Sequence, residues 1–238
     1  MYRSIYIFLS LIAWANPIFA QIQIDLRPNA AMVERNSLIV ILPTISTSPQ
    51  FSRAESHIQS ELAKRLKANG FRVSVLEEAS YRALLQTAES ELASAGIDPK
   101  KQVGFKNRLR VLHYLADEIC AQTSCSLIID SRLTLRLMDV RNKFAEWDGV
   151  RRRIPYTRTA GGMRSVEGTT YGLSVELLGV APSGRIVFQG FGGATVPFEV
   201  DLVSTYTQLR ANLFEDMEEI EEGVSIALQA FLARLDKN

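Results

Sequence analysis

The stretch SLIVILP, residues 37–43, decides the fold of this 238-residue chain. It is a continuous run of β-branched and other apolar residues that ends at a proline, which is typical of a strand buried on both faces of a sheet. We therefore expect this strand to lie at the centre of the sheet. Just before it, residues 21–36 show a short alternation at Ile22, Ile24 and Leu26, which predicts an edge strand or an arm.

The segment after this strand has the pattern of a helix followed by a second strand. Ser52 and Glu55 match the capping box that begins a helix, and Asn69-Gly70 is a typical helix end. Between them an apolar stripe recurs every four residues: Ile58, Leu62 and Leu66. FRVSVLE, residues 71–77, alternates apolar and polar residues, so residues 37–77 predict one β-α-β unit.

Two further helices precede a half of the chain that is rich in strands. We predict a second helix from Glu78 to Ala95 and a third from Asn107 to Gln122. The following segment alternates leucine with polar residues, so one face should meet a core and the other should meet water. The leucines expected in the core are Leu133, Leu135 and Leu137.

The rest of the chain predicts a hairpin and a closing helix. TYGLSVELLGV and RIVFQGF flank the turn APSG at residues 181–184, which predicts an antiparallel hairpin. GFGG, residues 190–193, lacks the lysine and the following helix of a phosphate-binding loop, so we expect a bulge or turn there. A long helix is predicted from Tyr206 to Leu235. Its apolar stripe is Leu213, Met217, Ile220, Val224, Leu228, Phe231 and Leu235.

These elements together predict an α/β fold with a mixed sheet. It should contain an N-terminal β-α-β unit, a C-terminal antiparallel hairpin region and a long C-terminal helix. Residues 21–238 can bury a core of their own, and we interpret them as a single α/β domain.

Residues 1–20 have the layout of a secretory signal peptide. Arg3 precedes an apolar stretch from Ile5 to about Ala15, followed by small and helix-breaking residues, with cleavage after either Ala15 or Ala20. The apolar stretch is too short for a membrane-spanning helix, which needs ~20 residues. We therefore expect a periplasmic protein. Because no cysteine precedes Cys120, we expect no lipid anchor.

Several of these segments resemble the curli-secretion and penicillin-binding-protein-activator group of bacterial envelope proteins. The matching stretches are SLIVILP, SELAKRLKANGFRVSVLE, LADEICAQTSCSLIIDSRL and SVELLGVAPSGRIVFQGFG. The resemblance implies a domain like an anticodon-binding α/β fold and a role in assembling or regulating envelope machinery by binding partners. The chain differs from many members of that group in lacking an amino-terminal lipidation cysteine. The resemblance therefore does not imply tethering to the outer membrane.

Cys120 and Cys125 are the only two cysteines. In an oxidising compartment a close pair is expected to form a disulfide, here between the end of the third helix and the next strand. A redox centre usually has two residues between its cysteines and places the first cysteine at the amino terminus of a helix. A zinc site would need further ligands, which His57 and His113 do not supply. We expect a structural disulfide, no metal and no cofactor.

An arginine-rich segment is the candidate binding site. In WDGVRRRIPYTR, Arg151 and Arg153 should lie on one face of a strand and Arg152 on the other. Stacking and added charge could come from Trp147, Tyr156 and Arg158. This segment could bind an acidic envelope protein, an anionic lipid head group or a cell-wall polymer. The alternative is an edge strand that charge protects from aggregation.

An acidic run occupies six of the eight residues from Glu215 to Glu222. Solvated helix flanks explain most of it, and the alternative is contact with a basic partner or with the arginine segment of a second copy. Without residues 1–20 the chain has 26 basic and 26 acidic residues, so nothing in its net charge indicates nucleic acid.

The sequence therefore predicts an exported, non-catalytic binding or assembly factor of the bacterial cell envelope. Peripheral membrane contact and formation of a homo-oligomer stay open. The alternative is an envelope hydrolase or transferase whose carboxylate site assembles only in three dimensions.

Overall fold

The computed structural model describes residues 33–44, 51–94, 96, 105–158, 167–201 and 206–235, and these form an α/β fold. The helices are α1 (Ser52–Ala68), α2 (Glu78–Ser94), α3 (Phe105–Thr123) and α4 (Glu218–Leu235). The strands are β1 (Leu38–Ile41), β2 (Arg72–Val75), β3 (Leu127–Arg141), β4 (Phe144–Trp147), β5 (Val150–Arg153), β6 (Tyr156–Arg158), β7 (Gly168–Val180), β8 (Ile186–Gly193), β9 (Phe198–Asp201) and β10 (Tyr206–Leu209). Residues 1–20, predicted to be a signal peptide, lie outside the described residues.

The predicted central strand and β-α-β unit are confirmed. β1 lies between β2 and β3 and is parallel to both, with Ile39 opposite Val73 on one side and Leu127 on the other. The main sheet continues in the order β2-β1-β3-β4-β5, and β7 pairs with β3 and with β8. The predicted hairpin is β7 and β8, joined by a turn in which Gly184 has φ +73°.

The first part of β3 is covered by helices on both faces of the sheet. α1 and α4 pack on one face around Ile58, Leu62 and Val224, and α2 and α3 pack on the other around Leu112 and Leu115. β3 has 15 residues and extends beyond these helices. There it carries β4 and β5, and a small sheet of order β10-β9-β6 packs against one face of this extension.

The predicted capping box at the start of α1 is wrong. Phe51 occupies the N-cap position without a side-chain cap hydrogen bond, and Ser52 is already inside the helix. The predicted end of the helix is confirmed, because Gly70 follows the last turn with φ +85°, a conformation that favours glycine.

The predicted start of the last helix is also wrong. Tyr206–Leu209 form β10, which pairs with β9, and α4 begins only at Glu218. A turn with Phe214 at φ +64° separates the two elements, and the Asp216 carboxylate accepts a hydrogen bond from the Glu218 N–H at 2.9 Å. The apolar stripe is confirmed within the true helix, where Ile220, Val224, Leu228 and Phe231 are buried.

The GFGG glycines lie inside β8 rather than in a bulge or turn. A Cβ on Gly190 would lie 1.9 Å from the Ala227 carbonyl oxygen, and one on Gly192 would lie 1.9 Å from that of Gly223. The glycines therefore let the backbone of α4 approach the strand closely. This contact explains a motif that resembles a nucleotide-binding loop.

The predicted disulfide is present between Cys120, in the last turn of α3, and Cys125, just before β3. Ser124 between them has φ +57° and donates its N–H to the Cys120 carbonyl at 2.8 Å. The bond therefore fixes the corner between helix and strand.

Replacing both cysteines with alanine is expected to lower the free energy of unfolding by about 2 kcal/mol, because the short bridge limits the unfolded chain only modestly. Urea unfolding with and without a reductant measures this loss. The reductant should lower the stability of the wild type by a similar amount and leave the double variant unchanged. A wild type that is equally stable with and without the reductant would contradict the prediction.

Candidate partner-binding site

The arginine-rich segment, residues 147–158, contains the turn of the β4–β5 hairpin, all of β5 with its three arginines, and β6 of the small sheet. β4 and β5 pair antiparallel around Asp148 and Gly149, which have φ +38° and +84°. An Asp-Gly pair with two positive φ angles is typical of a tight β-hairpin. β5 lies at the end of the main sheet, so the arginines occupy an edge strand.

Arg152 is held within its own chain. Its Nε donates to the Ala194 carbonyl at 3.2 Å, and its Nη2 lies 2.6 Å from the Glu222 carboxylate on α4. Glu219 is 3.9 Å away, and the side chain is only 19% exposed. The arginine segment and the acidic run, considered above as contacts between two copies, thus meet inside one chain.

Arg151 and Arg153 lie on the opposite face of β5 and are exposed. The Arg151 guanidinium is 3.1 Å from the Glu146 carboxylate, and it lies over the Phe144 ring at 4.4 Å from the centroid. The ion pair and the aromatic ring orient this guanidinium toward solvent. Arg158 belongs to β6, and its side chain is not among those described.

Trp147 is only 6% exposed. Its Nε1 donates to the Leu173 carbonyl at 3.3 Å and to the Ser174 hydroxyl at 3.1 Å. The ring packs against Gly172, where a Cβ would approach it to 2.6 Å. Trp147 therefore belongs to the core of the extension and offers no surface on which a ligand could stack.

The predicted core positions Leu135 and Leu137 are wrong: these side chains are 50% and 60% exposed. Leu137 pairs with Tyr171 of β7, which is 50% exposed. The alternation itself exists, but beyond the cover of α1 and α4 the apolar face of β3 meets water. On the opposite face, Met138 and Val140 are buried under the small sheet.

We call the exposed side of this extension the outer face. It runs across β7, β3, β4 and β5, and each of its described side chains is exposed. Its members are Leu135, Leu137, Asp139, Arg141, Phe144, Glu146, Arg151, Arg153, Thr169 and Tyr171. An apolar centre at Leu135, Leu137 and Tyr171 is thus flanked by charged residues, with arginine the commonest.

Two buried carboxylates also come together, as the hydrolase alternative requires. Arg108 of α3 donates from Nε to Asp130 at 2.7 Å and from Nη1 to Glu176 at 2.6 Å. Burial by itself would lower the pKa of Arg108, but the negative charges of Asp130 and Glu176 raise it above its usual value. Because both carboxylates accept hydrogen bonds from one cation, they form an ionic cluster and not an acid-base pair.

A cleft of about 530 Å³ lies at the carboxyl ends of β1 and β2, where open α/β sheets commonly bind ligands. Its walls include Glu55, Gln59, Glu78 and Tyr81. Burial, and next the charge of Asp130, raise the pKa of Tyr81 to about 12. The phenol therefore stays protonated at neutral pH and cannot serve there as a general base.

Among the described residues, no group of three or more His, Cys, Asp or Glu side chains could hold a metal ion. Within the same residues, no helix is long and apolar enough to cross a membrane. In comparisons with known proteins, neither a family model nor a curated protein matches the chain.

Proposed function

We propose that this protein is an exported, non-catalytic binding or assembly factor of the bacterial cell envelope, and that its outer face binds a protein partner. The single observation behind this proposal is the exposure of Leu135, Leu137 and Tyr171 side by side on an antiparallel sheet. Exposed apolar residues that form one patch, rimmed by polar residues, mark interaction sites on proteins.

The composition of the face favours a protein over a lipid head group or a cell-wall polymer. Interface centres are enriched in aromatic residues and arginine and depleted of lysine. The face carries Phe144, Tyr171, Arg141, Arg151 and Arg153, and it has no lysine among its described members. Its carboxylates, Asp139 and Glu146, would repel an anionic polymer. The partner should therefore present apolar side chains at its centre and acidic ones beside Arg151 and Arg153.

The size of the face favours a transient complex. A stable interface uses roughly 20–30 residues on each side, far more than the outer face offers. Transient contact suits a factor that regulates or assembles a larger machine. Three features support export to the bacterial cell envelope: the disulfide, the signal-like residues 1–20 and the resemblance to envelope assembly proteins.

Crosslinking in intact cells tests this proposal through a photoreactive residue in place of Arg153, because Arg152 is held against α4. We expect one defined protein adduct. Arg82, exposed on α2, is the matched control and should give no such adduct. Equal labelling from both positions, or adducts with lipid or cell-wall material alone, would refute the proposal. Recovery of the full-length chain from the cytosol with reduced cysteines would refute the export step.

A further inference from the structure

Along residues 168–172, one edge of β7 pairs with no strand of the described residues. Leu173 donates its N–H to the Thr195 carbonyl at 2.9 Å and accepts from the Ala194 N–H at 2.8 Å, so its backbone groups point toward β8. Residues two apart on a strand direct their backbone groups to the same side. Thr169 and Tyr171 therefore point their N–H and C=O groups to this side as well. Pairing with β8 ends at Ser174, and within the described part of the chain no strand continues along residues 168–172.

A small apolar cavity adjoins this edge. Its volume is about 160 Å³, and it lies between the tip of β3 and β7 and the small sheet. Its apolar walls are Met138, Val140, Ile154, Val196, Phe198 and Val200, and Gly168 to Thr170 of the open edge also line it. A cavity of about 150 Å³ lined by aliphatic residues can hold a benzene molecule, so this one has room for a single branched aliphatic side chain.

An extended segment added along the edge would meet two different surroundings. Side chains that alternate along a strand point to opposite faces of the sheet. One set would enter the cavity, and the other would lie on the solvent-exposed outer face beside Tyr171. The edge therefore fits a strand with isoleucine or leucine on one side and polar residues on the other.

This pattern occurs in the chain itself, in QIQIDL at residues 21–26. Ile22, Ile24 and Leu26 fall on one side of an extended strand, and Gln21, Gln23 and Asp25 fall on the other. The segment lies outside the described residues. We propose that residues 21–26 of a second copy of this chain add as a strand to the open edge of β7, with one isoleucine in the cavity.

The reach of the segment favours its addition to the edge of a second copy over that of its own chain. Ser126 donates to the Leu38 carbonyl, which places both at the same level of the sheet. From Ser126 to Leu137, opposite Tyr171, β3 rises by roughly 36 Å at 3.3 Å per residue. The chain from Val33 back to Ile24 spans at most about 32 Å when fully extended, and back to Ile22 about 40 Å. Within one chain, only Ile22 could come level with Tyr171, and only if every residue from 22 to 33 were fully extended. A second copy meets no such limit and is therefore the better source of the strand.

Light scattering on the purified exported protein tests this inference over a range of concentrations. We expect self-association in the wild type and at least a tenfold weaker association constant in the double variant Ile22→Asp and Ile24→Asp. The matched control Gln21→Asp and Gln23→Asp adds the same charge on the other side of the strand, and it should associate like the wild type. A monomeric wild type at all concentrations, or equal loss in both variants, would overturn the inference.

A second measurement locates the contact. A synthetic peptide of residues 21–32 is added to the Ile22→Asp and Ile24→Asp protein, whose edge is intact, and amide hydrogen exchange is followed. Exchange at the amides of Thr169 and Tyr171 should slow at least tenfold. Failure of the peptide to bind, or binding that leaves both amides unprotected, would overturn strand addition. Neither result depends on the Arg153 crosslink, so this inference and the proposed function can fail separately.

Discussion

Replacing Gly192 with alanine is expected to lower the free energy of unfolding by about 3 kcal/mol, at the upper end of the usual cost of overpacking. The new Cβ would lie 1.9 Å from the Gly223 carbonyl oxygen and 2.8 Å from its carbon. Both are backbone atoms of α4, so no side chain can rotate to relieve the clash, and the helix must move away from β8. Urea unfolding followed by circular dichroism measures the loss.

Gly223→Ala is the matched control on the helix side of the same contact. Its Cβ would lie 3.1 Å from the Gly192 carbonyl oxygen, which a small shift can relieve. Alanine is also the better helix former, by about 1 kcal/mol. The two effects oppose each other, so the stability should stay within about 1 kcal/mol of the wild type. Equal losses in the two variants, or a neutral Gly192→Ala, would contradict the close approach of α4 to β8.

The sequence predicts the elements whose signals are local. A continuous apolar run indicates that β1 is buried on both faces, and helical periodicity locates α1, α2 and α3 to within a few residues. The β7–β8 hairpin follows from two alternating segments around a turn rich in proline and glycine. The disulfide follows from the spacing of two cysteines at a helix-to-strand corner. Each of these signals lies within about twenty neighbouring residues.

What covers each face of the sheet is not a local property. The alternation in β3 predicts two faces correctly, but Leu133 lies under the helices whereas Leu135 and Leu137 lie beyond them. Only the length of β3 relative to α1 and α4 decides this. Similarly, the stripe of α4 is regular enough that residues 206–217 could be joined to it, although Tyr206–Leu209 pair with β9 in another sheet.

The candidate site was partly predictable. The alternation of Arg151, Arg152 and Arg153 between two faces follows from strand geometry and is confirmed. The partner of Arg152, Glu222, is 70 residues away in sequence and could not be identified by pattern. The sequence does carry one local signal of the hairpin turn between β4 and β5, the pair Asp148-Gly149. That turn brings Phe144 and Glu146 beside Arg151 and extends the site across four strands.

Replacing Arg108 with methionine is expected to lower the free energy of unfolding by about 3 kcal/mol, because breaking a buried ion pair leaves charge uncompensated. Asp130 is 1% exposed and Glu176 is 7% exposed, and each now accepts a hydrogen bond from this guanidinium. Methionine retains much of the apolar contact of the arginine stem. The loss of unfolding free energy therefore measures mainly the effect of the missing charge.

The matched control is Arg82→Met, which removes an ion pair of the same type on the exposed surface of α2. Its partner Glu78 is one helical turn away, and both side chains are largely in water. An exposed pair of this spacing contributes about 0.5 kcal/mol or less, so the control should unfold nearly like the wild type.

The pH dependence separates the lost charge from lost packing in the Arg108→Met variant. Without Arg108, two buried carboxylates lose the cation that compensates their charge, and burial disfavours a charged carboxylate. Protonation removes that charge, so the penalty is full at neutral pH and diminishes as the pH falls. In urea unfolding, the variant should therefore lose more stability relative to the wild type at pH 7 than at pH 5. Arg132, 3.3 Å from Asp130, limits the deficit but cannot reverse its sign. A deficit that is the same at both pH values would mean that Arg108 contributes through packing alone.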